Sequence, residues 1–219
     1  LGAWRISKRK VLTRRSAAIE TLGAATVLCT DKTGTLTLNK MELSSLYADG
    51  SFYELSNFAS TNLTEKFKKL LEYGVLASQK DPFDPIEREL RKMSELYLKE
   101  TAGDKDDLRL IKEYPLSKQL LALSHVWQNK NEKEFLIASK GAPEAILALC
   151  QCDAVQKAEV LQKVKEMSEK GLRVLGVAQS LYSGDVLPEK QTDFDFKFVG
   201  LLGFIDPVRA TVPEAVKEA

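Results

Sequence analysis

The sequence predicts an α/β protein in which an antiparallel block of strands and helices is inserted into a small parallel α/β base. Residues 24–29 and 198–205 are dense apolar runs without alternation, typical of strands buried on both faces, and each is followed closely by an aspartate. Between them, strand-like runs alternate with helical stretches. We therefore assign residues 17–40 and 198–219 to the base and residues 41–197 to the inserted block.

The composition is that of an ordinary folded protein. The 219 residues are 44% hydrophobic and 29% charged, which excludes extended disorder. A net charge of +1 provides no overall attraction to nucleic acid. No apolar run approaches the roughly 18 residues of a membrane-spanning helix. The chain starts at Leu1 and stops within a helical pattern at Ala219, so we expect a piece of a longer chain.

The first 16 residues are strongly basic and leave two interpretations open. Charge patterning alone predicts a solvated basic arm. The alternative is a cytoplasmic stalk next to a membrane helix, because Lys and Arg concentrate on that side and Trp favours the interface. The segment combines Trp4 with Arg5, Lys8, Arg9, Lys10, Arg14 and Arg15.

The inserted block begins with a hairpin and two helices. Asp49-Gly50 separates strand-like stretches at 42–48 and 51–55, which predicts a two-residue type I′ turn. The second helix is predicted to begin after Asp84 as N-cap, with Pro85 at its first position and Glu87 completing a capping box.

The rest of the block continues as strands and helices. Pro143 opens one predicted helix, while Asp153 and Gly171 bound another. A strand is predicted at 172–179, and a last helix after Thr211. Three strand-like runs precede these elements, at 108–114, 120–127 and 134–139.

The loop after the first apolar run is suited to phosphoryl chemistry. Asp31 at the mouth of a strand can attack a phosphoryl group, and Lys32 can offset charge on the transferring oxygens. Thr33 and Thr35 can donate hydrogen bonds, and Gly34 permits close backbone approach. The Asp31 carboxylate and the phosphoryl group are both anionic, so Mg²⁺ is required to bring them together. A turn-forming role is the alternative for an aspartate in such a loop.

This loop reads DKTGTLT at 31–37 and resembles the phosphorylation signature of P-type cation-transporting ATPases. The resemblance extends over the whole chain and is closest to bacterial pumps of the type II, calcium-pump-like branch. Further matching motifs are Leu22-Gly23, LNKM at 38–41, KGAPE at 140–144 and DPVR at 206–209.

The resemblance implies an architecture and a location. Residues 1–16 would be a juxtamembrane stalk remnant, and 41–197 the nucleotide-binding domain. Residues 17–40 and 198–219 would be two parts of a haloacid-dehalogenase-like phosphorylation domain. The implied partners are ATP and the rest of the same chain: the remaining phosphorylation domain, the actuator domain and the membrane helices. No nucleic acid partner is implied, and the segment would lie at the cytoplasmic face of the cell membrane.

The resemblance also implies roles for individual residues. Asp31 would be the phosphorylated nucleophile and Lys32 a phosphate partner. Thr33 would contact phosphate and, with Asp31, ligate Mg²⁺. The implied ATP-binding residues are Glu87, Lys140 and Gly141 in the adenine pocket, Arg173 at the phosphates, and Asp206 and Arg209 where the two domains meet.

One part of the family pattern is altered. Type II pumps carry a Phe followed five residues later by a Lys, whereas we align Tyr114 and Gln119 with these positions. Tyr114 can stack on adenine, with a core strand aromatic as the alternative. The cation is missing unless Lys118 replaces it, which predicts weaker nucleotide binding.

Two other functions remain as alternatives, a soluble haloacid-dehalogenase-type phosphatase and a non-catalytic nucleotide-binding module. The phosphatase is disfavoured because Thr33 stands where those enzymes carry a second acid. The later acidic motifs of the family are absent, so we expect this segment alone to be inactive. His125, Cys150 and Cys152 require no functional role, since no partner set accompanies them.

Overall fold

The structure is a computed structural model that describes residues 2–8, 17, 21, 24–55, 63–98, 108–130 and 133–218. The chain divides into two compact units. The larger comprises residues 39–207, and the smaller comprises residues 1–38 and 208–219. Of the predicted features, Leu22-Gly23 and the basic residues Arg9, Lys10, Arg14 and Arg15 lie outside the described residues.

The larger unit contains a seven-stranded sheet in which every neighbouring pair is antiparallel. Its order is β2-β1-β7-β6-β5-β4-β3. The strands are β1 (Glu42–Ala48), β2 (Ser51–Glu54), β3 (Leu108–Tyr114), β4 (Ala122–Asn129), β5 (Phe135–Gly141), β6 (Arg173–Tyr182) and β7 (Lys197–Ile205).

Helices cover both faces of this sheet. Leu202 packs with α2 (Glu65–Leu76) and α3 (Pro85–Tyr97), whereas its neighbour Leu201 packs with Met167 of α5 (Ala154–Glu169). Successive strand residues point to opposite faces, so these helices lie on opposite sides. The short α4 (Pro143–Leu149) joins α5 on the second side, where Ile146 packs against β5 and β6.

Several predicted local signals are confirmed. Asp49 and Gly50 have φ values of 46° and 71°, as a type I′ turn requires. The Asp84 carboxylate accepts from the backbone N–H of Ile86 at 2.7 Å, and that of Asp153 caps α5. Gly171 follows α5 with φ 78°.

The predicted placement of residues 198–205 in a parallel base is wrong. They form β7, which pairs antiparallel with β1 and β6 at the centre of the larger unit's sheet. A central strand of an antiparallel sheet with helices on both faces is as apolar as a parallel strand, so the run alone does not distinguish the two.

Regular structure is sparse in the described residues of the smaller unit. This unit contains α1 (Gly2–Lys8), a tight turn at Lys32–Leu36, and α6 (Val212–Glu218). Residues 24–30 form no strand, so the strand predicted at 24–29 is not found, and Val27 and Leu28 are exposed. None of the described strands pairs with this run. None of the described helices is long and apolar enough to cross a membrane.

Candidate nucleotide site

A buried ion pair marks the carboxyl end of β5. Lys140 is 5% exposed, and its Nζ donates to Glu87 Oε1 and to Ser78 Oγ, each at 2.5 Å. Burial lowers the pKa of Lys140, while the hydrogen bond and the charge of Glu87 act to raise it. The pair therefore depends on both partners, because removing either would leave an uncompensated charge inside the protein.

Glu87 pairs with Lys140 and Gln79 instead of completing the capping box predicted for it. Its Oε1 accepts from Lys140, and its Oε2 accepts from the backbone N–H of Gln79 at 3.3 Å. Only the Asp84 half of the predicted box is present among the described hydrogen bonds. The buried ammonium group attracts this carboxylate more strongly than an exposed helix terminus does. Glu87 thereby closes the loop between α2 and α3.

Gly141 permits a close approach between β5 and the start of β4. A Cβ atom at this position would lie 2.2 Å from the Leu121 carbonyl oxygen. That oxygen accepts from the N–H of Ala142 at 2.8 Å, so the contact is fixed from both sides. The absence of a side chain at Gly141 is therefore a packing requirement next to the ion pair.

Arg173 lies on the same face of the sheet as Lys140. Lys140 is opposite Val177 on β6, and Arg173 is four residues earlier on that strand, opposite Phe204. Val177 and Phe204 both pack with α2 and α3, so all these side chains share that face. Arg173 is exposed and lies roughly 13 Å along β6 from Val177, at about 3.3 Å per residue. A buried polar pair and an exposed cation are thus separated along one face.

Tyr114 lies on the opposite face of the sheet from Lys140. It is packed in the core, as the alternative interpretation of this residue predicted. It is 6% exposed, its hydroxyl donates to the Pro188 carbonyl at 2.5 Å, and its ring meets Phe194 edge-on. Tyr114 is opposite Ser124 on β4, whereas the adjacent Leu123 is opposite Lys140. Neighbouring positions on one strand point to opposite faces, so Tyr114 cannot reach the ion pair. Lys118 and Gln119 are exposed in the loop before β4.

A cavity of about 740 Å³ begins at this ion pair. Ser78 and Glu87 line it, together with Trp127, whose indole N–H donates to the Leu76 carbonyl at 2.9 Å. His125 Nδ1 lies 3.0 Å from the same carbonyl. Burial lowers the pKa of His125. His125 is thus a buried residue of β4. The volume is in the range of small-molecule sites.

The DKTGTLT segment is organised by its own backbone. Thr37 is buried, and its Oγ1 accepts from the N–H of Gly34 and donates to the Lys32 carbonyl, both at 3.2 Å. The Arg209 guanidinium donates to the carbonyls of Gly34 and Thr35 at 2.9 and 3.1 Å. Sequence reasoning missed this role of Thr37 and Arg209, because only the folded turn shows where those carbonyls point.

The catalytic residues predicted in this segment are accessible. Asp31, Lys32 and Thr33 are all exposed. Asp206, in the larger unit, accepts from the backbone N–H of Lys40 at 3.1 Å. The Asp31 carboxylate and the Thr33 carbonyl are hard oxygen donors of the kind Mg²⁺ takes, so they fit as two of its ligands. Across the described ranges, no three His, Cys, Asp or Glu residues lie close enough together to hold a metal ion.

Comparison with known proteins gives one family and a set of relatives. The family model described as P-type ATPase, cytoplasmic domain N, matches residues 84–211, more than half of the chain. The chain is 31% identical over 259 residues to the potassium-transporting ATPase alpha chain 2 of Oryctolagus cuniculus, covering 99% of this chain and 24% of that protein. It is 28% identical over 240 residues to calcium-transporting ATPase 1 of Bacillus cereus, covering 100% and 26%. The chain thus spans about a quarter of the length of these relatives.

Proposed function

Because the chain belongs to the family of P-type ATPase cytoplasmic N domains, we propose that it is the ATP-binding and phosphorylation segment of an ATP-driven cation transporter. ATP phosphorylates Asp31, and cycles of phosphorylation and hydrolysis drive ion transport in the longer chain. That chain contributes the remaining phosphorylation domain, the actuator domain and the membrane helices. This segment acts at the cytoplasmic face of the membrane.

The observation that carries the nucleotide assignment is the shared face of Lys140, Glu87 and Arg173. The buried pair offers a carboxylate and an ammonium group to the polar edge of adenine, beside the close backbone approach at Gly141. Arg173, exposed farther along the same face, is suited to the phosphates as a planar donor. A nucleotide has its base at one end and its phosphates at the other. The distance between the buried pair and Arg173 along the sheet suits these two ends.

In the proposed reaction, a carboxylate oxygen of Asp31 attacks the γ-phosphorus while the bond to the oxygen bridging the β- and γ-phosphates breaks. ADP leaves with the electron pair of that bond, and Asp31 becomes an acyl phosphate. Lys32 and Thr33 stabilise the equatorial oxygens. Asp31 and the Thr33 carbonyl would hold Mg²⁺, which would supply positive charge between the nucleophile and the phosphate. Asp206 and Arg209 act near the bound nucleotide.

Thr33 determines the fate of this intermediate. A hydroxyl in place of a second acid cannot protonate the leaving group or activate water as a carboxylate does. The phosphoenzyme is therefore long-lived until another domain supplies a base. The same argument separates this chain from a soluble phosphatase, which needs rapid turnover.

Incubation with γ-labelled ATP and Mg²⁺ tests the proposal. The full-length transporter should form an acid-stable, hydroxylamine-sensitive phosphoprotein that Asp31→Asn abolishes. Residues 1–219 alone should remain unlabelled, because the magnesium site lacks its later carboxylate. Labelling of the Asp31→Asn transporter would show that Asp31 is not the nucleophile. ATP binding without any phosphoprotein would indicate a non-catalytic module, and p-nitrophenyl phosphate turnover by residues 1–219 would indicate a phosphatase.

A further inference from the structure

The 740 Å³ cavity lies beside the proposed nucleotide site and shares one residue with it. Glu87 lines the cavity, whereas Lys140, Gly141 and Arg173 do not. The rest of the described lining comes from the end of α2 and the loop after it, from α3, and from strands β3 and β4. The residues assigned to the nucleotide therefore leave most of this cavity without a function.

The strand register places this cavity and Arg173 in opposite directions from Lys140. Lys140 is opposite Leu123 on β4 and Val177 on β6. Arg173 precedes Val177 by four residues, and the antiparallel pairing makes this the direction of the start of β4. Trp127, which lines the cavity, follows Leu123 by four residues towards the end of β4. At about 3.3 Å per residue, Arg173 and Trp127 are roughly 26 Å apart along the strands, so a nucleotide that runs from Lys140 to Arg173 does not fill the cavity.

The floor of the cavity is apolar. Leu108 of β3 and Trp127 pack against the cluster that contains Leu76 at the end of α2. Leu110, opposite Trp127, adds an apolar side chain that is 36% exposed. The indole N–H of Trp127 already donates to the Leu76 carbonyl, so the one polar group of this ring is satisfied. A ligand that fills this space needs an apolar body.

More cations than carboxylates surround this apolar floor. The charged residues of the described lining are the cations Lys80, Arg91, Arg109 and Lys130 and the carboxylates Asp81, Glu87 and Glu113. Lys140 already balances the charge of Glu87. The other charged lining residues therefore carry an excess of two positive charges. Such a surround attracts an anionic group.

Two of these cations are available to a ligand. Lys80 and Arg109 are exposed, and among the described residues no carboxylate lies within 4.0 Å of either. By contrast, Asp81 lies 4.0 Å from Arg91, and Glu113 lies 4.0 Å from His125 Nε2. Ammonium and guanidinium groups form their strongest hydrogen bonds with carboxylate or phosphate oxygens. The cavity thus joins an apolar floor to cations that lack an acidic partner.

We propose that this cavity binds a second ligand, a small amphipathic anion with an apolar body and one acidic group. The apolar body contacts Leu110 and Trp127, and the acidic group lies near Lys80 and Arg109. The inference goes beyond the proposed nucleotide function, because the second ligand occupies the space that a nucleotide directed towards Arg173 does not reach. Both ligands are therefore expected to bind at the same time.

The experiment titrates decanoate, below its micelle concentration, into residues 1–219 and follows the indole N–H resonance of Trp127 by NMR. Trp127→Phe distinguishes this resonance from that of Trp4, the other tryptophan of the chain. We expect saturable shifts of the Trp127 resonance and intermolecular NOEs from decanoate to Trp127 and Leu110. Decyltrimethylammonium has the same chain length and the opposite charge, and it should bind about tenfold more weakly.

Paired variants test the two parts of the site. Lys80→Gln combined with Arg109→Gln should weaken decanoate binding about fivefold, which is the scale of two exposed ion pairs. The matched control is Lys157→Gln combined with Lys165→Gln, two exposed cations of α5 on the other face of the sheet, which should leave binding unchanged.

The apolar floor is tested in the same way. Leu110→Ser should weaken decanoate binding, whereas Leu181→Ser, at an exposed position of β6 outside the cavity, should not. Equal binding of decanoate and decyltrimethylammonium would overturn the proposal, as would equal effects of the cavity variants and their controls.

A titration of decanoate in the presence of saturating ATP separates this inference from the nucleotide function. Unchanged decanoate binding supports two distinct sites, and mutually exclusive binding would overturn the proposal, because the two ligands would then share one site. ATP binding without decanoate binding overturns this inference and leaves the nucleotide function intact. Decanoate binding at Trp127 by a chain that does not bind ATP supports the cavity site and contradicts the nucleotide function.

Discussion

The two units hold their functional residues in different ways. In the larger unit, Lys140 and Glu87 are buried between a helix and a strand, and long-range packing creates the site. In the smaller unit, Asp31 is exposed on a turn whose geometry comes from Thr37 and Arg209. Recognition therefore depends on long-range packing, whereas the chemistry depends on a locally hydrogen-bonded turn. Substitution of Lys140 or Glu87 should affect folding, whereas substitution of the exposed Asp31 should affect chemistry alone.

The largest expected effect is at the buried pair. Glu87→Ala should lower the free energy of unfolding by about 3 kcal/mol, because it leaves the buried Lys140 ammonium without a counter-charge and with Ser78 as its one remaining hydrogen-bond partner among the described residues. The control Glu65→Ala removes an exposed first-turn carboxylate and should cost less than about 1 kcal/mol. Urea unfolding measures both. The double variant Glu87→Leu with Lys140→Met should recover most of the loss. Equal midpoints for the two alanine variants would contradict the importance of the pair.

A smaller loss of stability is expected from Gly141→Ala. The new Cβ would meet the Leu121 carbonyl at 2.2 Å, so β4 and β5 must separate, at a cost of about 2 kcal/mol. Gly171→Ala is the control, because Gly171 has φ 78° with no atom within 4 Å, and only backbone strain of about 1 kcal/mol applies. Thermal unfolding compares them. A larger loss for Gly171→Ala would show that the close approach is not a constraint.

Many turns and helix boundaries of the larger unit can be predicted from local sequence signals. Strand partners and the faces of side chains cannot, because they depend on contacts between residues far apart in sequence. Asp49-Gly50 and Asp153 act within a few residues, so pattern alone locates their turn and helix. The partners of β7 are chosen by long-range pairing, which an apolar run does not encode. Likewise, the face of Tyr114 depends on its register with β4.

The smaller unit should respond locally. Thr37→Val removes the hydroxyl that accepts from the N–H of Gly34, a bond of about 1 kcal/mol. Amide hydrogen exchange at Gly34 should therefore accelerate about fivefold, while amides of β5 keep their protection. Thr35→Val, at an exposed position of the same turn, is the control and should change exchange little. Faster amide exchange throughout the larger unit would contradict the prediction that Thr37→Val acts only within the smaller unit.

The smallest expected effect is a pH dependence at His125. Burial lowers its folded-state pKa below 6.5, opposed by Glu113 and the Leu76 carbonyl and reinforced by Lys140, with Glu87 also opposing. The unfolded chain therefore binds the proton more readily, and stability falls as pH drops from about 7 through the folded pKa. His125→Gln should flatten this slope in urea unfolding between pH 5 and pH 7. An unchanged slope would assign the pH dependence to other groups.

The most direct test of the account is titration of ATP into residues 1–219 with amide NMR detection. We expect saturable shifts at Glu87, Lys140 and Arg173 and in the loop between α2 and α3, all on the face of the sheet covered by these two helices. Residues of α5, on the opposite face, should remain unchanged. Saturable shifts centred on α5, or none at ATP concentrations that saturate the full-length transporter, would contradict it.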